Sequence, residues 1–131
     1  MPTYGSEYAA GADLYSCNEN DIVIKPGETV KIGTGLAMQL PNGFFGGIFA
    51  RSGIATKQGL RPSNCVGVVD SDYRGEIIVP LHNDSNEDQI VKPNQRIAQM
   101  ILLNYTCMDF NEVNDLNKTI RDDKGFGSSG Q

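Results

Sequence analysis

The sequence has one histidine, His82, no tryptophan, and three cysteines set far apart, Cys17, Cys65 and Cys107. An odd cysteine count without a C-x-x-C spacing argues against a disulfide framework and a zinc knuckle. A lone histidine argues against a zinc site and a Ser-His-Asp triad, and His82 is read as an ordinary loop or surface residue. If hydrolysis is the chemistry, the base is a carboxylate. Long apolar runs are missing, so no segment is expected to span a bilayer. The N-terminus lacks a basic region followed by an apolar stretch, so no secretory signal is read. A reducing, cytoplasmic interior is the expected setting, in a bacterium or in the host cell of a virus. Positive charge is also scarce: 11 Lys and Arg against 16 Asp and Glu give a formal net charge of -5. That argues against a nucleic-acid polymer as partner, yet a few clustered arginines can still make a local anion pocket.

What is present is one domain's worth of chain, 131 residues with 39% hydrophobic, long enough to enclose a core. The segment DIVIKPGETVKIGTGLAMQLPNGFFGGIFA alternates brief apolar runs with Pro-Gly, Gly-Thr-Gly and Pro-Asn-Gly. Ile22, Ile24, Val30, Ile32, Leu36, Met38 and Leu40 fall mostly on a two-residue period, the mark of half-buried strands. CVGVVD, GEIIVPLHN and QRIAQMILLNY continue it. Many short strands with frequent turns predict an all-β sandwich or jelly roll. RSGIATKQGL breaks the period and predicts one short helix, with Ser52 as a candidate N-cap and Gly59 as its stop. Residues 1–120 are read as the domain and 121–131 as a C-terminal arm, too poor in apolar residues to build a core.

Five stretches carry candidate chemistry. Arg51-Ser52-Gly53 joins a cation, a hydroxyl and a pliable backbone at the expected helix start, a pattern that suits phosphate and equally a plain cap. Gly127-Ser128-Ser129-Gly130 offers amides and hydroxyls to a phosphate, Arg121 offers charge, and Phe126 offers a face to a planar base. No G-K-[ST] is present, so this is not a P-loop. Asp70-Ser71-Asp72-Tyr73 reads as a hairpin turn or as a carboxylate poised at a strand end to take a proton from water. Gln99 stands among apolar strand residues and needs a partner, from an edge or from a ligand. Asp13 follows small residues in AAGADLYS, which permit close backbone approach. Val68, Val69, Ile77, Ile97 and Met100 are read as core.

In order and spacing, AAGADLYS, ARSGIA, NCVGVVDSDYRGE, QRIAQMI and RDDKGFGSSG resemble the five motifs of the trimeric deoxyuridine triphosphatases (dUTPases). The resemblance implies a distorted jelly-roll β-sandwich or barrel, a homotrimer with an exchanged C-terminal arm, and sites assembled from three subunits. It implies Mg2+-dependent hydrolysis of dUTP to dUMP and pyrophosphate, with Asp70 activating the attacking water. Asn64 and the backbone of Gly67 and Val69 would then read uracil, Tyr73 would pack on deoxyribose, and Phe126 would stack on the base. Arg51, Ser52, Gly53, Gln99, Arg121, Gly127, Ser128 and Ser129 match phosphate contacts. Asp13 matches a water-mediated partner of Mg2+, which the triphosphate itself would mainly hold. Asp72 is read as structural, and Arg74 and Glu76 as shaping the hairpin or a subunit contact. Against the family's pattern, Asp122-Asp123-Lys124 replaces a more glycine-rich stretch, and the chain starts late, without a strand ahead of PTYGSE. Two rival readings share this architecture: a dCTP deaminase-like enzyme, and a non-catalytic dUTP-binding regulatory trimer.

Overall fold

In the computed structural model, which describes residues 1–125, the apolar alternation becomes ten short strands and one helix among the described residues. In chain order these are β1 (Thr3–Tyr4), β2 (Ala12–Tyr15), β3 (Ile22–Ile24), β4 (Thr29–Gly33), β5 (Phe44–Phe49), α1 (Ser52–Gln58), β6 (Leu60–Pro62), β7 (Gly67–Val69), β8 (Ile78–Asn83), β9 (Gln89–Val91) and β10 (Arg96–Asn104). A five-stranded sheet runs β1-β2-β10-β5-β7, a three-stranded sheet runs β4-β8-β6, and β3 pairs with β9. Every ladder is antiparallel. The fold is nearly all-β, as expected. Of the sandwich and barrel alternatives only the layered one holds, because the sheets do not close into a barrel.

One core lies between the layers, with Leu14, Ile32, Leu60, Val79, Leu81 and Ile97 fully buried. β8 shows why: Val79, Leu81 and Asn83 point inward while Ile78, Pro80 and His82 do not, the alternation that a pleated strand imposes. Asn83 is the exception in kind, a buried amide whose bonding capacity is filled. Its Nδ2 donates to the carbonyls of Ile24 and Glu87 at 2.8 Å each, and its Oδ1 accepts from the Ser85 amide and hydroxyl at 2.9 and 2.7 Å. Asn83→Ala strips the Ile24 carbonyl of its donor inside the core. We expect it to destabilise the fold by about 2–4 kcal/mol, read as a lower urea midpoint at unchanged slope. An unchanged midpoint would show that these bonds add nothing to the core.

Three expectations need correction. Val68 is 63% exposed and lies outside the core. It pairs with Gly47 across the β5–β7 ladder, on the sheet face turned away from the core. Leu36, Met38 and Leu40 pack against the core as their period required, but 35–41 forms no ladder. The helix is capped by Arg51 in an extended conformation, with no side-chain cap bond, so Ser52 is its first helical residue and not its N-cap. The stop is as expected: Gly59 takes φ 64° and donates its amide to the Ile54 carbonyl, a left-handed conformation that glycine adopts without strain. His82 lies on β8 with its Nδ1 2.8 Å from the Thr29 hydroxyl.

Candidate active site

β7 forms one edge of the five-stranded sheet, so its outer backbone groups have no strand to pair with. Chain leaving this edge turns at 70–73 and continues to β8, which belongs to the three-stranded sheet; this hairpin loop, 70–77, forms no ladder with β7. Asn64, Gly67, Val69, Asp70, Tyr73 and Glu76 line a single cleft beside it, and Asp72 does not. The turn is closed by the Tyr73 amide on the Asp70 carbonyl at 3.2 Å. Arg74 donates to the carbonyls of Ser71 and Tyr73 at 2.8 and 2.9 Å, and the Tyr73 hydroxyl donates to the Glu76 carbonyl at 2.9 Å. The hairpin base is clasped to the segment after β4. The Thr34 hydroxyl donates to the Ile77 carbonyl at 2.6 Å, the Gly35 amide to Glu76 Oε1 at 2.8 Å, and the Ile77 amide to the Leu36 carbonyl at 2.8 Å. Arg74 and Glu76 therefore do shape the hairpin, and Asp70 is held at the cleft wall by backbone rather than by its own side chain.

A second, polar cleft gathers Gly11, Asp13, Arg51, Ser52, Gly53 and Gln99 with Arg96. Asp13 sits on β2 directly across from Gln99 on β10. Its side chain is nearly buried and meets two guanidinium groups: Arg51 Nε donates to Oδ1 at 2.6 Å and Arg96 Nη1 to Oδ2 at 3.2 Å. Two cations around one anion leave the cleft positive in an acidic protein, the condition for holding a small anion. The half-buried Gln99 amide finds its partner in the Ala50 carbonyl at 2.9 Å. Arg96 was not expected here. Its signal was its place at the start of the strand that carries Gln99, on the side that faces Asp13.

The two clefts have no lining residue in common. Arg121 lines neither; it is exposed, and its Nε donates to the Lys124 carbonyl at 3.2 Å. Phe126, Gly127, Ser128 and Ser129 lie outside the described residues. Among the described residues no three His, Cys, Asp or Glu side chains gather as metal ligands, and no helix is long and apolar enough to cross a membrane.

The sequence pattern of one family, described as dUTPase, matches residues 1–130. The chain belongs to the dUTPase family. It is 47% identical to the deoxyuridine 5'-triphosphate nucleotidohydrolase of Desulfitobacterium hafniense, covering 99% of this chain and 87% of that one. The namesake protein of Finegoldia magna is 45% identical over 99% and 91% of the two chains. Among solved structures, the Staphylococcus bacteriophage 80alpha dUTPase with dUPNHPP superposes with a TM-score of 0.83 at 26% identity, over 100% of this chain and 92% of that one. The dUTPase from Streptococcus mutans gives 0.77 at 27% identity, over 84% and 89%. Family membership accounts for the order of the motifs in this chain: the hairpin with Asp70 is the third, and the polar cleft joins the first, second and fourth.

Proposed function

We propose that the protein is a dUTP nucleotidohydrolase that releases pyrophosphate and dUMP by attack of water at the α-phosphorus. The observation that carries this reading is the cleft at β7, where Asp70 and Tyr73 face the same space as Asn64 and Gly67. Uracil presents acceptor, donor and acceptor along one edge. An unpaired strand edge offers the matching donors and acceptors, so Gly67 and Val69 read the base by backbone and Asn64 by its amide. Cytosine leaves these groups mispaired, which discriminates strongly. Tyr73 covers the deoxyribose and excludes a 2′-hydroxyl. Asp70 takes the proton of the attacking water as the bond from the α-phosphorus to the bridging oxygen breaks.

The triphosphate belongs in the polar cleft, against Arg51, Ser52, Gly53 and Gln99, with Arg96 adding charge. Among the described residues no ligand cluster gathers, so Mg2+ would be held mainly by the triphosphate and waters, with the Asp13 carboxylate as a partner through water. The ion's contribution is to neutralise charge on the departing pyrophosphate. The first task of Asp13 is to aim Arg51. On charge alone, removing an anion beside a triphosphate would tighten binding. Asp13→Ala is expected to weaken it about tenfold or more, because Arg51 loses the partner that fixes its direction. Calorimetric titration with a non-hydrolysable dUTP analogue decides, and tighter binding would contradict this role.

A homotrimer follows from the same reading. The outward face of the five-stranded sheet is apolar: Phe45, Phe49, Val68, Ile101 and Leu103 share it by strand alternation and cross-strand register. The base cleft lies at its β7 edge and the polar cleft by β2 and β10, with β5 between. A neighbouring copy on that face brings its own hairpin to this chain's arginines, so that sites form between chains. The exchanged arm and a cytoplasmic setting are part of this proposal. Pyrophosphate release from dUTP with Mg2+, beside dTTP, dCTP and UTP, tests the activity. Turnover of dUTP alone is expected. Ammonia release from dCTP would favour a deaminase, and dUTP binding without turnover a regulatory protein.

A further inference from the structure

Gly75 lies beneath the ring of Tyr73. A Cβ built on it would overlap the Tyr73 hydroxyl oxygen and stand 2.6 Å from Cζ and 3.0 Å from Cε2. Its backbone does not require glycine: among the described residues, positive φ at glycine occurs at Gly27, Gly35, Gly43 and Gly59. The ring alone accounts for the missing side chain. We propose that Gly75 is a specificity-determining residue, the bare floor on which Tyr73 folds back over its own loop and is held against the sugar. The proposal rests on reading this cleft as the dUTP site.

The ring is fixed at two points. Its hydroxyl reaches across Gly75 to the Glu76 carbonyl at 2.9 Å, and its flank rests on the Gly75 backbone. A methyl group at 75 forces the ring tip to move by about 1 Å to reach ordinary contact distance. The hairpin itself has no need to move, since Thr34, Gly35 and Leu36 clasp its base through Glu76 and Ile77. Tyr73 is 45% exposed, so the displaced ring has room to swing. Uracil contacts made by Asn64 and the β7 backbone then survive, while exclusion of a single added oxygen on the sugar does not. Gly75 thus acts through Tyr73 and is a positioning residue.

The test compares kcat/KM for dUTP and for UTP in wild type, Gly75→Ala, Tyr73→Ala and the double variant. The preference for dUTP over UTP is expected to fall about tenfold or more in Gly75→Ala, and the same change in the Tyr73→Ala background leaves the ratio unmoved. An unchanged ratio in Gly75→Ala, or an equal fall with and without the Tyr73 ring, would overturn the proposal. If Gly75→Ala fails to fold, thermal midpoints decide. Recovery in the double variant supports the ring contact, and continued loss refutes it. A wild type that turns over dUTP and UTP alike removes the deoxyribose reading and this proposal with it. A selective wild type with an equally selective Gly75→Ala removes this proposal alone.

Discussion

Asp70→Asn is expected to lower kcat for dUTP by about 10²–10⁴-fold, the range a general base supplies, while a non-hydrolysable dUTP analogue still binds. Asparagine keeps the size of the side chain and one acceptor oxygen but takes no proton at neutral pH. The hairpin is closed by backbone bonds and by Arg74, none of which uses the Asp70 carboxylate. Its shape should therefore survive the change, and the loss should fall on kcat rather than KM. Asp72 is the internal control. It is two residues away and equally acidic, but it does not line the cleft, so Asp72→Asn should stay within about threefold of wild type, as a residue outside the reacting groups should. A full loss in Asp72→Asn with Asp70→Asn active would transfer the base to Asp72.

Leu103→Asp should give a folded single chain with no measurable turnover. Leu103 lies opposite Phe45 in the β10–β5 ladder, far along the strand from Gln99 and on the apolar outward face. Leu103 is only half-buried in the isolated chain, so a carboxylate there keeps access to water and costs the fold less than it costs an interface. Between chains, the same carboxylate must leave water without a partner, which costs several kcal/mol per ion. Repeated in each copy, that outweighs association. Sedimentation should report a monomer with an unchanged far-ultraviolet spectrum, and activity should vanish, since the proposed site takes its hairpin from one chain and its arginines from another. An assembled, active Leu103→Asp protein would place the interface elsewhere.

Much of this was legible from residue order. Period-two alternation located β3, β4, β8 and β10, and Gly59 marked the helix stop, because both signals are local. Readings failed where the deciding contact is distant in sequence. Val68 and Val69 look alike in the chain, but only register against β5 says which faces the core and which points away from it. Ser52 is the better cap by type. The extended Arg51 takes that place with its side chain committed to Asp13, 38 residues away. Arg96 opens the strand that carries Gln99, but its ion pair with Asp13 exists only because the β2–β10 ladder brings the two together. The segment 35–41 kept its burial pattern and lost its ladder, since alternation reports which side chains are covered and not which backbone pairs. The motif resemblance singles out Asp70 and Tyr73 over Asp72, and the cleft is lined by the first two and not by the third.

The central claim is that the hairpin of one chain works on the triphosphate held by another. Mixing two inactive variants tests it most directly. Asp70→Asn retains the arginine cleft, and Arg51→Ala retains the hairpin. Co-refolded in equal amounts, they should regain up to about a quarter of wild-type activity, the share of sites that pair an intact hairpin with an intact cleft on random assembly. Each variant refolded alone should stay inactive. Activity of the mixture no greater than that of its separate components, with mixed assembly confirmed by mass spectrometry, would mean that both halves of a site come from one chain.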